Sequence, residues 1–243
     1  MSRYEVCVRA GDDALIAAQR LAEWSAAAPE LEEDIALSNI ALDQLGAARL
    51  LLSYAGEVEG AGRDEDALAF LRDDREFRNC LLVELPEHKD FAVTMAKLLF
   101  LSVYQHLLYQ CLMDSSDERL ADIGAKARKE SAYHVDHATQ WTIRLGDGTD
   151  ESHRRMQAAV DDLWPYTHEL FEPAVFGSLA PDPSTLRGPW RETVTDVLTV
   201  ATLTTPEDGW APSGGRSGRH TEHLSYLLGE MQVLYRAHPG ATW

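Results

Sequence analysis

The sequence is short of cysteine. Three residues, Cys7, Cys80 and Cys111, stand far apart in a chain of 243. An odd number at such spacing makes neither a disulfide framework nor a Cys-x-x-Cys zinc site. They read as reduced, half-buried apolar fillers. Basic charge is scarce as well: 22 Lys and Arg against 40 Asp and Glu leave a formal net charge of −18. That balance repels nucleic-acid phosphates and anionic lipid headgroups, and on an ordinary protein surface it serves solubility. No stretch approaches the ~18 apolar residues of a membrane span, and the opening MSRYEVCVRAGDD has no leader-like apolar core or cleavage pattern, so the chain is expected in the cytoplasm. There is no nucleophile elbow, phosphate loop or dinucleotide fingerprint; GAGR at Gly60 and GGRSG at Gly214 are short and follow no strand. Period-two alternation, internal repeats and low-complexity tracts are also missing.

What remains is a folded chain, 45% hydrophobic and 26% charged, of a size that one large domain accommodates. A single all-α domain over residues 1–243 is the expectation. Helical spacing of Leu15, Ile16, Leu21 and Trp24 predicts a first helix over 12–27, with the GDD triplet as its N-cap. Pro29, the acidic residues after it and Gly56 bound a long second helix over 29–56. The charged, glycine-punctuated stretch that follows reads as a connection with a short helix. Residues 91–113 are apolar enough for a central helix, and a fourth long helix follows within 115–148. Further helices are predicted over 151–171, 190–203 and 220–237, with a proline-rich loop at 172–189 and a basic, glycine-rich connector, GGRSGRH, before the last.

Long helices around a shared interior invite a test for a carboxylate-bridged di-iron centre. Such a site takes a Glu from each of two helices and Glu-x-x-His from two others, the spacing that sets both ligands on one face. The required Glu-x-x-His is missing from these helices. The second helix instead carries LDQLGAA, with Gln44 and Ala47 three apart, and the fourth carries KESAYH, with Ser131 and His134 three apart. Other polar groups have ordinary readings: Asp43 and Glu130 as ion-pair partners of Arg49 or Lys129, and His220 with His223 as a helix cap and surface contact. A rival reading joins Glu33, Asp43, Glu130, His134 and His137 into an unconventional iron site, of a self-sufficient oxygenase or a ferritin-like store. A third makes the chain a general helical interaction module.

The segments ALDQLGAARLLLSYA, GRDEDALAFLRDDREFRNCLLVE, KESAYH, RLGDGTDESHRRMQAAVDDLWPYTHELF and GRHTEHLSYLLGEMQ resemble the PaaC family and cover nearly the whole chain. These are C subunits of ring-1,2-phenylacetyl-CoA epoxidase, a multicomponent monooxygenase of aerobic phenylacetate degradation. The resemblance implies a ferritin-like helical bundle with extra C-terminal helices. It sets Gln44 and Ala47 at one Glu and His pair, Ser131 and His134 at the other, and Ser102 near a further carboxylate position, leaving the first-helix position open between Ala14 and Gln19. Glu130 lies one residue off register, a turn of ~100° away from the site. One imidazole among Gln, Ala and Ser offers too little negative charge to hold iron, so no metal is expected in this chain. The resemblance further implies a structural, non-catalytic role beside a di-iron A-type subunit and the other subunits of the complex, with electrons from NADPH arriving through a reductase. In isolation the chain is expected to self-associate. Arg216, Arg219 and His220, dense basic groups in an acidic protein, are candidates for contact with a partner or with a CoA phosphate.

Overall fold

The computed structural model describes residues 2–87 and 90–241. Among the described residues the chain is helix and turn without a strand, as expected of the ferritin-like class. The helices are α1 (Arg3–Ala22), α2 (Leu31–Glu59), α3 (Glu65–Phe70), α4 (Leu81–Glu84), α5 (Phe91–Leu112), α6 (Glu118–Gly146), α7 (Asp150–Leu163), α8 (Arg187–Val200) and α9 (Glu222–Ala237). They gather into two compact units, one formed by Ser2–Pro86 with the chain from Ser213 onward, the other by Glu87–Pro212.

The first unit is built on the α1–α2 hairpin. A capping box starts α1: the Ser2 hydroxyl accepts from the Glu5 amide at 3.3 Å, and the Glu5 carboxylate accepts from the Ser2 amide at 2.6 Å. The helix therefore begins nine residues before the predicted start at Asp12 and runs straight through Gly11-Asp12-Asp13. That triplet is mid-helix and buried, so its expected capping role is overturned. Gly11 serves packing: a Cβ there would stand 3.0 Å from Leu52 Cδ2 on α2. Gly56 likewise sits inside α2, where a Cβ would collide with the Arg63 carbonyl, and the helix stops instead at Gly60, whose φ of 69° is left-handed. From the far end of the chain α9 packs back onto α3. Gln232 Nε2 donates to the carbonyls of Ala69 and Arg72, each at 3.0 Å, and the rings of Phe70 and Tyr235 stack at 5.0 Å.

The second unit has α5 at its centre, mostly buried against α6, α7 and α8. Phe91 meets Trp141 edge to face at 5.0 Å, and Gly124 lies against Tyr109 and Leu112 further along, so α5 and α6 run antiparallel. An aromatic cluster of Phe100, Tyr104, Trp164, Phe171 and Trp190 closes the core, and the Trp190 indole donates to the Phe100 carbonyl at 2.8 Å. The fifth helix is shorter than predicted. Pro165 cannot supply an amide to continue α7, and residues Trp164–Phe171 tighten into 3₁₀ turns. Asp208 clasps the following loop, accepting from Arg187 at 2.8 Å, Arg191 at 2.6 Å and the Trp164 indole at 3.2 Å. Burial pushes this carboxyl up, but the hydrogen bonds from Arg191 and Trp164 and the arginine charges win and hold it below its ordinary range. Against the expectation that no stretch approaches a membrane span, α2 and α5 are by length and composition apolar enough to cross one; α5 is the buried core helix of its unit.

Candidate functional site

The five positions set against a di-iron ligand pattern are all buried. Gln44 and Ala47 lie one turn apart on α2 in the first unit; Ser102 on α5 and Ser131 and His134 on α6 belong to the second. In the second unit these groups are engaged with their own helices. Ser102 Oγ donates to the Leu99 carbonyl at 3.4 Å, and Ser131 Oγ donates to the Arg128 carbonyl at 3.0 Å. Ser131 also bridges to α5 through His106 Nδ1 at 3.1 Å. A hydroxyl has one proton, so with Arg128 as its acceptor the proton of the second bond comes from His106 Nδ1. This α5–α6 link stands where the pattern calls for a ligand, and sequence spacing did not single out His106.

Burial, reinforced by the Arg128 charge, pulls the His106 pKa below its ordinary 6.5. A depressed imidazole pKa contributes stability that is present above 6.5 and lost as pH falls through the folded value. An NMR titration is therefore expected to find His106 still neutral, with its proton on Nδ1, at a pH where exposed histidines are half charged. A His106 midpoint at or above 6.5 contradicts this.

An amide, a methyl, two hydroxyls and one imidazole do not fit a di-iron centre, which draws on several anionic oxygens. The unconventional set fares no better: among the described residues no three His, Cys, Asp or Glu side chains are grouped so as to hold a metal ion. Glu130 pairs with Lys126 at 2.7 Å rather than with Arg49 or Lys129, and Arg49 pairs with Glu65 at 3.2 Å rather than with Asp43. The i to i+4 geometry of a helix favours the first of these, and the approach of α3 to α2 creates the second.

The basic connector is placed quite differently from its expected role. Arg216 is buried, its guanidinium forking onto Asp13 at 2.9 and 2.7 Å and reaching the Arg78 carbonyl at 3.0 Å. His220 is enclosed too, with Nδ1 on Glu84 Oε2 at 2.8 Å and Nε2 on the Phe77 carbonyl at 3.1 Å. Both ring nitrogens face acceptors, which suits the doubly protonated imidazolium. Of the three connector groups only Arg219 is exposed, so the expected contact with a partner or CoA phosphate is corrected for Arg216 and His220.

Those two residues belong to a buried charge network that sequence reading missed. Asp12 takes both amino groups of Arg72 and the Arg78 amide at 2.8 Å; Asp13 takes Arg216 and the Cys80 amide at 2.7 Å. Glu84 accepts from Asn79 at 2.9 Å and the Thr221 amide at 2.6 Å, while Arg20 donates to its carbonyl at 2.7 Å. Burial pushes the Asp13 carboxyl above its ordinary 3.8, against the downward pull of Arg216 and the Cys80 amide. The network ties the 72–84 segment and the 216–221 connector to the flank of α1. The one sequence signal for it was an acidic doublet set in the otherwise apolar run AGDDALIAA.

Comparison with known proteins agrees with this frame. Residues 2–243 match the family described as phenylacetic acid catabolic protein. The C subunit of the 1,2-phenylacetyl-CoA epoxidase of Escherichia coli strain K12 is 47% identical over 242 residues, covering 97% of each chain.

Proposed function

The chain belongs to the phenylacetic acid catabolic protein family, and from that premise we propose that it is a structural, non-catalytic C-type subunit of a phenylacetyl-CoA epoxidase. It acts in phenylacetate catabolism by pairing with and bracing the A-type catalytic subunit. The observation that carries this reading is the donor set at the ligand-equivalent positions: Gln44, Ala47, Ser102 and Ser131 leave His134 as the sole strong ligand. The helices are retained while the chemistry is absent, the combination expected of a subunit kept for its shape. The near full-length likeness to a C subunit supports the same role.

In such a complex the di-iron centre of the A-type partner supplies the oxygen chemistry on the aromatic ring, fed by NADPH through a reductase. This chain holds no iron of its own. Its contribution is a packed scaffold whose buried charge network and antiparallel hairpins keep their form beside the partner. A soluble cytoplasmic setting fits both the −18 charge and the catabolic role.

The test is to purify the chain alone and with a co-expressed A-type subunit, and to measure iron per protein and phenylacetyl-CoA epoxidation on both samples. Iron and activity are expected only in the complex. Stoichiometric iron in the isolated chain, or activity without the partner, would favour a self-sufficient oxygenase and sink the scaffold reading.

A further inference from the structure

The second helix carries two apolar faces. One is the buried face on which Ile40, Gln44 and Ala47 lie. At ~100° per residue, Leu31, Ile35, Leu42 and Leu45 fall together on roughly the opposite side. These four are 73%, 54%, 64% and 43% exposed. Their spacing, continued by Ser38 and Arg49, alternates four and three along the helix, the period of a seam that packs against another helix at a shallow angle. A lone exposed leucine is ordinary in a soluble protein, but an aligned strip on the order of 400 Å² falls in the range of a monomer's largest surface patch, which is often functional.

The strip does not end in solvent. Leu45 also lines a groove of about 310 Å³ formed with Leu15, Ala48, Leu52, Ala69 and Phe70 from α1, α2 and α3, all within the first unit. Arg49 and Glu65 pair at its rim, beside exposed Asp66. A helix lying along α2 could seat apolar side chains in it. The flanks of the strip are acidic, with Glu32 and Asp34 at one end and Glu65 and Asp66 at the other. A second copy of this chain would bring another −18 of like charge to such a face.

We infer that the outer face of α2 between Leu31 and Leu45, with the adjoining groove, is the docking surface for a helix of the A-type catalytic subunit. The partner helix presents apolar residues at alternating three and four spacing, flanked by Lys or Arg. This inference rests on the subunit reading above and adds to it the surface and the kind of partner element.

The experiment compares the wild-type chain, the double variant Leu42→Asp/Leu45→Asp and a control, Val233→Asp/Leu234→Asp, on α9, whose apolar side chains are similarly exposed. Each is co-expressed with the A-type subunit and its affinity measured by biosensor, with circular dichroism melts to establish folding. All three are expected to melt within a few degrees of one another, because the altered side chains are exposed. The α2 variant should bind the A-type subunit on the order of a hundredfold more weakly, while the α9 variant binds as wild type does. Unchanged affinity in the α2 variant overturns the inference and leaves the subunit reading standing, even if that variant abolishes self-association in sedimentation. Loss of affinity in the α9 control alone also overturns it. If the wild-type chain fails to bind the A-type subunit at all, the inference and the reading it rests on fall together.

Discussion

Replacing Arg216 with methionine is expected to destabilise the chain by roughly 3–5 kcal/mol, the cost of leaving a buried carboxylate without its counter-charge. Arg216 and Asp13 are both buried, and the guanidinium covers both carboxylate oxygens. Methionine fills much of the volume but none of the charge. For a chain of this size the loss corresponds to a fall in melting temperature of roughly 10 °C. The sign of its pH dependence follows from Asp13. Burial already holds that carboxyl above 3.8, and removing Arg216 takes away the main downward pull. A carboxyl raised in the folded state favours folding when protonated, with the benefit lost as pH rises through the folded value. The variant's deficit should therefore be smaller at pH 5 than at pH 8. Adding Asp13→Asn removes the stranded charge yet keeps an amide oxygen for the Cys80 amide, so the double variant is expected to regain at least half of the loss. Melts of both variants at the two pH values check this; a single variant as stable as wild type would show that the pair is dispensable.

Gln44→Glu is the second large effect. The change is nearly isosteric and restores the carboxylate that the ligand pattern calls for, at a position only 3% exposed. Desolvation of a carboxylate at this buried position is expected to cost on the order of 2–4 kcal/mol at pH 8. Its folded pKa must lie above the unfolded ~4.3, so the penalty shrinks as pH falls towards that value. Denaturation curves at pH 6 and pH 8, with iron analysis of the variant, test the point. A variant that loses no stability and takes up iron would show that the interior near Gln44 still supports a metal, against the structural reading of this subunit.

The helices most legible from sequence were those whose pattern needed no distant partner. Apolar runs and helical patterns of the right length located α5, α6 and α9 to within a few residues, whereas Gln44, Ala47 and Ser131 were set at ligand positions by the family resemblance. Glycine was the least dependable guide. Gly11 and Gly56 look like helix boundaries, yet both are interior positions, Gly56 where the Arg63 carbonyl leaves no room for a Cβ and Gly11 where Leu52 packs tightly. Local pattern cannot distinguish a glycine that ends a helix from one that lets a neighbour approach.

Sequence alone determined that this chain is helical, acidic and without a Glu-x-x-His, because those properties depend on periodicity, composition and local spacing. Only the tertiary structure decided that Asp12 and Asp13 sit in the middle of α1 facing Arg72 and Arg216, and that Arg216 and His220 face inward while Leu42 and Leu45 face outward. Residues separated by 60 and 203 positions pair there. Burial makes an ion pair necessary at such a site, and burial is a property of the packed chain that no local run of residues contains.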